Sequence, residues 1–323
     1  MAYAIVISQP GGVEKLHRIT IDPPEPKVGE VLIRHTAIGL NFIDVYFRTG
    51  AYPWPVERDL ITGSEAAGVI EAVGEGVSLR VGQRVAYVTP NGAYATHRVI
   101  SASLVVELPD DIPDELAAGS MLKGLTAHYL IHHSYPASVG ETVLFHAAAG
   151  GVGLIAGQWL KARGVHTIGT AGGPQKCALA KDHGYEHAID YRNEDFVARV
   201  MEITNGAGVA AVYDSVGKDT VSKSLKVLER FGTIVCFGQS SGPADDFKIN
   251  DLAIGSLRLT RPTVFQHIAR PGWLQQASSD LFKVISSGEV KIELGARFAL
   301  EDVASAHVAL EGRASTGSTV LVP

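Results

Sequence analysis

The sequence contains little cysteine, and this excludes several kinds of site and scaffold. Only two of the 323 residues, Cys177 and Cys236, are cysteines. A zinc site of four cysteines and a framework of several disulfides both need more thiols than the chain has. Sparse cysteine is typical of a reducing compartment, so we expect a cytoplasmic location.

The chain also lacks an excess of basic charge. It has 28 Lys and Arg against 34 Asp and Glu, which gives a formal net charge of −6. Nucleic-acid backbones and anionic membranes are bound by basic surfaces, so we expect neither a nucleic-acid partner nor a membrane partner. The hydrophobic fraction of 46% with 19% charged residues indicates a globular protein, and this length suffices for about two domains.

Signals for export and for membrane insertion are weak. Met1 to Pro10 carries no basic residue, and its apolar run is too short for a signal sequence. One uncharged stretch, 142–160, reaches the length of a membrane span, but it contains four glycines together with His146 and Gln158. We therefore expect this stretch to form a buried strand, a turn and a helix.

Two kinds of pattern divide the chain. The first 120 residues contain short apolar runs bounded by Gly, Pro and Asn, which predicts the antiparallel strands of a barrel-like β domain. From about residue 140, β-branched apolar runs recur every 21 to 24 residues, as βαβ units require. These runs begin at Val143, Val165, Ala188, Val209, Thr233 and Leu257. Six parallel strands predict a doubly wound α/β sheet.

Apolar residues at three- and four-residue spacing predict the helices. The predicted helices are Leu154–Arg163, Gln175–His183, Asp195–Thr204, Thr220–Arg230, Trp273–Ser286 and Glu301–Leu310, and a last strand covers Thr319–Val322. We interpret residues 124–264 as a domain inserted into a discontinuous outer domain formed by 1–123 and 265–323. A cleft between two domains is a usual place for a small-molecule site.

A glycine-rich turn follows the first of the six runs. Within 143–153, Ala148 stands in place of the first glycine of the dinucleotide fingerprint, with Gly150 as the second and Gly153 as the third. Glycine at 150 or 151 lets the backbone approach a pyrophosphate, glycine at 153 lets helix and strand pack closely, and unpaired helix N–H groups bind anionic oxygens. The turn therefore predicts a dinucleotide site, and the alternative is a tight turn without a ligand.

The residues after the second run favour a phosphorylated cofactor. Sites that prefer NAD place an acid about 20 residues after the turn, where it binds the ribose hydroxyls. Segment 170–176 contains no acid, and Lys176 adds a cation that would attract a 2′-phosphate. We predict NADPH rather than NADH, with a solvated Lys176 in the first turn of a helix as the alternative.

Six short segments, in order along the chain, resemble one family of enzymes. They are Ala37–Asp44, Gly63–Gly68, Leu122–Ala127, His146–Gly153, Tyr213–Gly217 and Arg313–Gly317. The chain resembles the medium-chain dehydrogenase/reductase superfamily and, within it, the quinone oxidoreductase branch related to zeta-crystallin. This resemblance implies a GroES-like, β-rich catalytic domain around a six-stranded Rossmann domain. It also suggests a homodimer in which Rossmann sheets join edge to edge at 257–260.

Zinc-dependent members of this superfamily carry a cysteine where Asn41 stands and a histidine where Ser64 stands. An amide and a hydroxyl are not ligands that zinc prefers, so we expect no metal. Without a Lewis acid, alcohol oxidation is hard, because the alkoxide lacks stabilisation. A quinone is already electron-poor, and its reduction yields a stable hydroquinone anion. We predict NADPH-dependent hydride transfer to a quinone laid against the nicotinamide.

The resemblance also implies a set of cofactor-binding residues. They are Phe42, Ile43, Asp44, Val45, Tyr46, Tyr129, Gly150, Gly151, Val152, Gly153, Gly172, Gly173, Lys176, Tyr191, Val216, Gly238, Gln239, Ser240, Ser241, Pro262, Thr263, Val264 and Arg313. Side-chain donors suited to a phosphate are present at Lys176, Tyr191 and Arg313.

For the acceptor pocket we predict Asn41, Tyr46 and Tyr52. An amide and phenols can hydrogen-bond quinone oxygens, and the rings can stack on the substrate. Tyr46 is the better candidate for a proton donor. The alternative for Tyr52 is that it covers the core.

Three other functions remain open at this stage. Reduction of the activated double bond of a 2-alkenal or enone also needs no metal. Zeta-crystallin relatives suggest a structural or RNA-binding role, against which the net charge argues. Finally, 238–242 matches the G-x-S-x-G elbow of serine hydrolases, which requires a helix directly after the serine. The residues Pro243 to Asp246 predict a loop there instead.

Overall fold

The structure of the chain, a computed structural model, describes residues 1–312 and 316–323. The chain folds into two compact units. The first unit comprises Met1–Leu122, Arg270–Ser286 and Ile292–Pro323, and the second comprises Lys123–Ala269 and Ser287–Lys291. Most of the second unit is therefore inserted within the sequence of the first.

The described part of the chain contains sixteen strands and nine α-helices. The strands are β1 Tyr3–Ile7, β2 Leu16–Thr20, β3 Glu30–Leu40, β4 Leu60–Ile61, β5 Glu65–Val73, β6 Arg84–Val88, β7 His97–Ser101, β8 Val105–Glu107, β9 Thr142–Phe145, β10 His166–Ala171, β11 His187–Asp190, β12 Val209–Asp214, β13 Leu228–Cys236, β14 Arg258–Thr260, β15 Leu294–Ala299 and β16 Ser318–Val322. The helices are α1 Phe42–Thr49, α2 Asp114–Tyr129, α3 Gly151–Ala162, α4 Pro174–Asp182, α5 Phe196–Ile203, α6 Val221–Ser224, α7 Val264–Ile268, α8 Trp273–Ser286 and α9 Val303–Glu311.

Shorter helical turns complete these elements. Helix α2 continues into a π-helical turn at Leu130–Ser134, and 3-10 turns cover Val13–Lys15, Ala102–Leu104, Ile249–Ile254 and Leu300–Asp302. Among the residues described, no helix is both long and apolar enough to cross a membrane.

The first unit is built on a sheet in the order β15-β16-β3-β5-β6-β8, with β7 also paired to β3. The pairs of this sheet are antiparallel except for β15 with β16. Strand β3 shifts register twice against β5, between Leu32 and Ile33 and between His35 and Ala37, and such bulges bend a strand. The core within the bent sheet includes Ile33, Ile38, Leu40, Tyr87, Tyr94, Leu300 and Leu321. The prediction of a barrel-like, β-rich part is confirmed.

The second unit contains a fully parallel sheet in the order β11-β10-β9-β12-β13-β14. Each of the six predicted apolar runs begins within one of these strands or at the residue before it, so the doubly wound prediction is confirmed. The strand order reverses between β9 and β12, and ligands bind doubly wound sheets at such a reversal. The stretch 142–160 forms strand β9, a turn and most of helix α3, as expected.

One predicted helix is mostly wrong. Helix α6 covers only Val221–Ser224 of the predicted 220–230, and the chain enters strand β13 at Leu228. The apolar residues Val221, Leu225 and Leu228 recur at four- and three-residue spacing, which also suits a helix. Pairing of Leu228 with Val209 decides the outcome, and the register shift that follows accommodates the extra residues.

Candidate active site

The glycine turn connects β9 to α3 in the second unit. Gly150 is the N-cap of α3, and no side chain caps the first N–H groups of the helix. A Cβ at Gly153 would lie 2.5 Å from Ala147 O and 2.6 Å from Ala148 O, and one at Gly151 would lie 2.6 Å from Lys123 Cδ. Packing against the backbone thus requires glycine at 153, whereas at 151 the neighbour is a flexible lysine side chain. The helix start that remains uncapped is suited to a pyrophosphate.

A buried histidine secures the start of this turn. His146 Nε2 lies 2.9 Å from Ser224 Oγ, and Nδ1 lies 2.9 Å from Thr170 Oγ1. Because the Ser224 hydroxyl donates to Thr220 O, Ser224 Oγ accepts from Nε2–H and the Thr170 hydroxyl donates to Nδ1. Burial lowers the pKa of His146, which keeps the ring neutral in this arrangement. The ring therefore ties the end of β9 to β10 and α6.

The end of β10 is the place where the sequence predicts the adenosine ribose. Gly172 and Gly173 follow the strand, and Gly173 N donates to Asp190 Oδ1 at 2.7 Å. Hydrogen bonds from Gly173 and from Asn193 lower the pKa of Asp190, which is therefore ionised at neutral pH. The Tyr191 hydroxyl lies 2.6 Å from the position of a Cβ on Gly172. An acid thus lies near the glycines in space, although segment 170–176 contains none.

Most of the other predicted cofactor residues of the second unit also follow the carboxyl ends of parallel strands. Val152 lies in the first turn of α3, and half-buried Lys176 lies in the first turn of α4. Val216 follows β12, Gly238, Gln239, Ser240 and Ser241 follow β13, and Pro262, Thr263 and Val264 follow β14. The carboxyl ends of parallel strands lie at one edge of the sheet, so the structure brings these segments to the edge where doubly wound sheets bind ligands.

The ring of buried Tyr129 stacks on His267 with the centroids 4.8 Å apart. The segment after Ser240 contains no helix before Ile249, so the serine-hydrolase alternative lacks its required helix. Arg313 lies outside the described residues.

In the first unit, the predicted acceptor residues lie at the beginning of α1 and in the loop after it. Asn41 is the N-cap of α1 and is buried. Tyr46 and Tyr52 are partly exposed, with ring centroids 5.1 Å apart, and Tyr52 N donates to Tyr46 O. Partly exposed Phe42 lies against Tyr46 at 6.4 Å. These rings form a partly open aromatic surface, which could receive a flat ligand.

Of the five α1 residues predicted to bind cofactor, Phe42, Ile43 and Tyr46 are partly exposed, whereas Asp44 and Val45 are buried. Exposed side chains can contact a ligand directly. A buried side chain acts on a ligand through its neighbours, and Asp44 has several polar ones.

Two buried carboxyl groups hold Asn41 in place. Asp44 Oδ2 accepts the N–H of Asn41 at 2.9 Å, and Glu65 Oε1 accepts from Asn41 Nδ2 at 2.8 Å. Glu65 Oε2 in turn accepts the N–H of Leu122, and the Ser64 hydroxyl donates to Asp44 Oδ1 at 2.7 Å. Because a carboxylate only accepts, the contact with Glu65 determines which end of the Asn41 amide is the nitrogen. Asn41 keeps one side-chain N–H for another acceptor.

The network continues from Asp44 toward the surface. Tyr94 Oη lies 3.0 Å from Asp44 Oδ2 and 3.0 Å from His307 Nε2. Arg48 contacts His307 Nδ1 at 3.3 Å and makes a bidentate pair with Glu311 at 2.8 and 2.9 Å. An arginine only donates, so His307 accepts at Nδ1, its Nε2–H donates to Tyr94, and Tyr94 donates to Asp44.

Burial controls the charges in this network. It raises the pKa of Asp44 to about 7, against the effect of the hydrogen bonds from Ser64, Asn41 and Tyr94. It lowers the pKa of His307 to about 3, an effect that Arg48 reinforces. Sequence reasoning missed Glu65 as a partner of Asn41, and it missed Ser64, Tyr94 and His307 as members of the network around Asp44. Each of these residues lies far along the chain from the residue that it contacts. The only signal was Ser64-Glu65 within a segment that matches the family.

The side chains at the positions of the superfamily's zinc ligands are occupied with these hydrogen bonds. Asn41 binds Glu65, and Ser64 binds Asp44. In the ranges 1–312 and 316–323, no group of three or more His, Cys, Asp or Glu side chains is arranged to hold a metal ion. The donor set at this place is thus an amide and a hydroxyl.

Two family models match the chain. Residues 27–110 match the alcohol dehydrogenase GroES-like domain, and residues 151–279 match the zinc-binding dehydrogenase. The first match covers most of the β-rich sheet, and the second begins at the glycine turn. The prediction of a GroES-like part and a Rossmann part is confirmed.

Known proteins are similar over the whole length. A quinone oxidoreductase of Pseudomonas aeruginosa is 48% identical, and both chains are covered completely. A 2-haloacrylate reductase of a Burkholderia species is 39% identical, covering 100% of this chain and 99% of that protein. The crystal structure of Escherichia coli quinone oxidoreductase complexed with NADPH superposes with a TM-score of 0.97 at 43% identity, covering 99% of this chain and 100% of that one. On this similarity, the chain belongs to the quinone oxidoreductase family.

Proposed function

We propose that the protein is an NADPH:quinone oxidoreductase that transfers a hydride to a quinone without a metal. The observation that carries this proposal is the full-length similarity to the NADPH-bound Escherichia coli enzyme. The glycine turn at the strand-order reversal supports the cofactor, and the aromatic surface beside Asn41 supports the acceptor. We assign acceptor binding to residues 1–123 and 265–323 and cofactor binding to residues 124–264.

The residues present fit a dinucleotide. Gly150, Gly151 and Gly153 add no side chains of their own at the helix start, and no side-chain cap competes for its N–H groups. Gly172 leaves room for the Tyr191 hydroxyl above the end of β10. When bound, NADPH supplies the hydride. The chain would hold the diphosphate of the cofactor at the start of α3 and its adenosine ribose beside the end of β10.

The acceptor side needs orientation and a proton. We assign Asn41 Nδ2, fixed by Glu65, as a donor to a quinone oxygen, and the rings of Tyr46 and Tyr52 as the surface against which the quinone lies. Orientation of this kind lowers the barrier by removing entropy from the reacting pair. Hydride transfer to a quinone leaves a hydroquinone anion. We assign the protonation of this anion to Tyr46 or to water.

The test is steady-state turnover with 1,4-benzoquinone and either NADPH or NADH. We expect quinone-dependent oxidation that is faster with NADPH. Tyr52→Phe keeps the ring and loses the hydroxyl, so we expect a higher KM for the quinone, about 10-fold where a hydrogen bond to the substrate is lost. Absence of quinone-dependent NADPH oxidation would refute the proposal.

A second candidate function is reduction of an activated carbon–carbon double bond. It is favoured by the 39% identity to a protein named 2-haloacrylate reductase. Initial rates with a 2-alkenal and with a benzoquinone, measured on one enzyme preparation, separate the two. A larger kcat/KM for the 2-alkenal would establish this function as the main one.

We also propose a homodimer joined at strand β14, in a cytoplasmic protein that binds neither nucleic acid nor membrane. In the sheet as described, β14 is an edge strand that pairs only with β13. Exposed Phe231 lies on β13, which pairs with β14, and exposed Ile249 and Ile254 lie on the 3-10 turn that precedes β14 in the sequence. Unpaired edges and exposed apolar patches both favour association.

A further inference from the structure

The loop after β11 places a guanidinium beside the two glycines that end β10. Arg192 Nε lies 3.2 Å from the position of a Cβ on Gly172, and Nη1 lies 3.7 Å from that on Gly173. Arg192 is exposed, and its guanidinium makes no hydrogen bond or ion pair with any described residue. Five N–H donors are therefore presented to solvent beside the predicted adenosine ribose site.

Hydrogen bonds within the loop fix the backbone position of this arginine. Asp190 Oδ1 accepts from Gly173 N at 2.7 Å and from Arg192 N at 3.1 Å, and Asp190 Oδ2 accepts from Asn193 Nδ2 at 2.7 Å. Glu194 Oε1 accepts from Asp190 N at 3.0 Å. The loop thus ties itself to the end of β10 through its backbone as well as its side chains.

The same hydrogen bonds occupy the acceptor positions of the acid that lies nearest to this site, Asp190. A carboxylate near the end of the second strand ordinarily accepts from the ribose hydroxyls. Here Asp190 already accepts three hydrogen bonds from the protein. Its negative charge would also repel a 2′-phosphate unless a cation lies close to it. Arg192 supplies that cation on the solvent side of the glycines.

Building on the proposed use of NADPH, we propose that Arg192 binds the 2′-phosphate of the cofactor and selects NADPH over NADH. A guanidinium binds phosphate oxygens with two parallel hydrogen bonds, which an ammonium such as that of Lys176 does not do. Tyr191, whose hydroxyl lies over Gly172, adds a neutral donor on the same side. The assignment adds a residue that sequence reasoning did not include.

Arg192→Gln tests the assignment, because it removes the charge at an exposed position. Hydrogen bonds to charged groups correspond to about a 10- to 100-fold change in affinity, so we expect the Kd for NADPH to rise by that factor. The Kd for NADH changes less than about twofold, since that cofactor has no phosphate for the guanidinium to bind. The salt dependence of NADPH binding also becomes weaker.

The fragments 2′,5′-ADP and 5′-AMP isolate the same contact, because they differ by the 2′-phosphate alone. Titration calorimetry with both fragments therefore accompanies the measurements on the whole cofactors. Arg80→Gln is the matched control, since Arg80 is an exposed arginine of the first unit and the charge change is the same. Arg192→Lys keeps the charge and loses the fork, so it falls between wild type and Arg192→Gln.

Two results overturn the inference. Either Arg192→Gln leaves the affinities for NADPH and for NADH both unchanged, or it weakens the binding of both cofactors by the same factor, as loss of a purely structural arginine would. Failure of the proposed function is distinguishable, since the wild-type protein would then bind neither NADPH nor 2′,5′-ADP, or would bind them without reducing quinone. If Arg192→Gln loses its preference for NADPH over NADH and still reduces quinone at saturating NADPH, both the role of Arg192 and the proposed function are supported.

Discussion

Asp44 is a carboxyl group with no exposed surface in the first turn of α1. Around it lie Ser64, Tyr94, Glu65 and, beyond Tyr94, the pair formed by His307 with Arg48. Burial raises the pKa of Asp44 to about 7, against about 3.9 in an unfolded chain. The folded protein therefore retains a proton that the unfolded chain has already released across this range of pH.

This difference makes stability depend on pH in a defined direction. The folded state binds more protons than the unfolded state between about pH 4 and pH 7, so stability falls as the pH rises through this window. The asparagine of the Asp44→Asn variant cannot ionise. Its new amide N–H can donate to Ser64 Oγ if the Ser64 hydroxyl donates to Pro90 O, 3.1 Å away. We expect the variant's stability relative to wild type to increase by up to about 4 kcal/mol between pH 4 and pH 8.

Urea unfolding followed by tryptophan fluorescence at several pH values measures this difference. Burial lowers the pKa values of His35 and His307 to about 3. For each of these histidines, the free energy of unfolding of the protein therefore decreases as the pH falls below about 6.5. That slope is present in both proteins and cancels in the comparison. Parallel pH profiles of wild type and variant would contradict the raised pKa of Asp44.

The contacts of the site residues could be predicted from the sequence only where the two partners lie close together along the chain. Asn41 was found because a family motif marks it, and its backbone partner Asp44 is three residues away. Its partner Glu65 is 24 residues away, and His307 lies beyond 200 residues from Tyr94. Contacts of that range depend on the folded sheet, so composition and spacing do not show them. Asp190 illustrates the same limit, because the acid near Gly173 comes from the next strand.

At the scale of elements, the strand–turn–helix unit formed by β9, the glycine turn and α3 separates two roles of glycine. A Cβ at Gly153 would overlap two backbone carbonyls, at 2.5 and 2.6 Å. At Gly150 the nearest atom would be Ala147 O at 3.1 Å, and the backbone has an ordinary negative φ of −82°. The first position is limited by the packing of helix on strand, and the second mainly by what approaches the turn from outside.

We therefore expect Gly153→Ala and Gly150→Ala to fail differently. Gly153→Ala overpacks the unit and costs roughly 1–3 kcal/mol of stability, with loss of cofactor binding as a consequence. Gly150→Ala keeps the melting temperature near that of wild type and weakens NADPH binding, because its methyl group occupies space that the diphosphate needs. Thermal melts and NADPH titrations of both variants check this. Equal stability losses with unchanged NADPH affinity would show that the turn binds no diphosphate.

Periodicity predicted elements well where pattern and pairing agree. Helix α8 begins and ends at the predicted Trp273 and Ser286, because its apolar face is regular over 14 residues. The six parallel strands were found because each coincides with a short apolar run, and the central strands β9, β10 and β12 are buried along most of their length. The prediction of a helix over residues 220–230 was wrong because Val221, Leu225 and Leu228 have a helical spacing, and only the pairing of β13 with β12 shows that a strand begins at Leu228.

At the scale of the whole molecule, the change in pattern near residue 140 predicted an inserted α/β part within a β-rich one. Assembly is a different matter, because an interface between copies leaves no periodic signal in one chain. The structure adds two facts, the edge position of β14 and the exposure of Ile249 and Ile254, at 79% and 74%. Both belong to the second unit, so the proposed interface involves that unit.

A charge introduced at this edge tests the proposed dimer. In Ile254→Glu a carboxylate would be buried without a partner at the interface, which costs several kcal/mol and raises the dimer Kd about a hundredfold or more. Val139→Glu is the control, since Val139 is 82% exposed, lies in the same unit and precedes β9 rather than β14. Sedimentation equilibrium should show a dimer for wild type and for the control, and dissociation for Ile254→Glu with its NADPH affinity retained. If all three proteins sediment as dimers, association uses another surface and β14 remains an open edge, whereas three monomers would exclude the dimer itself.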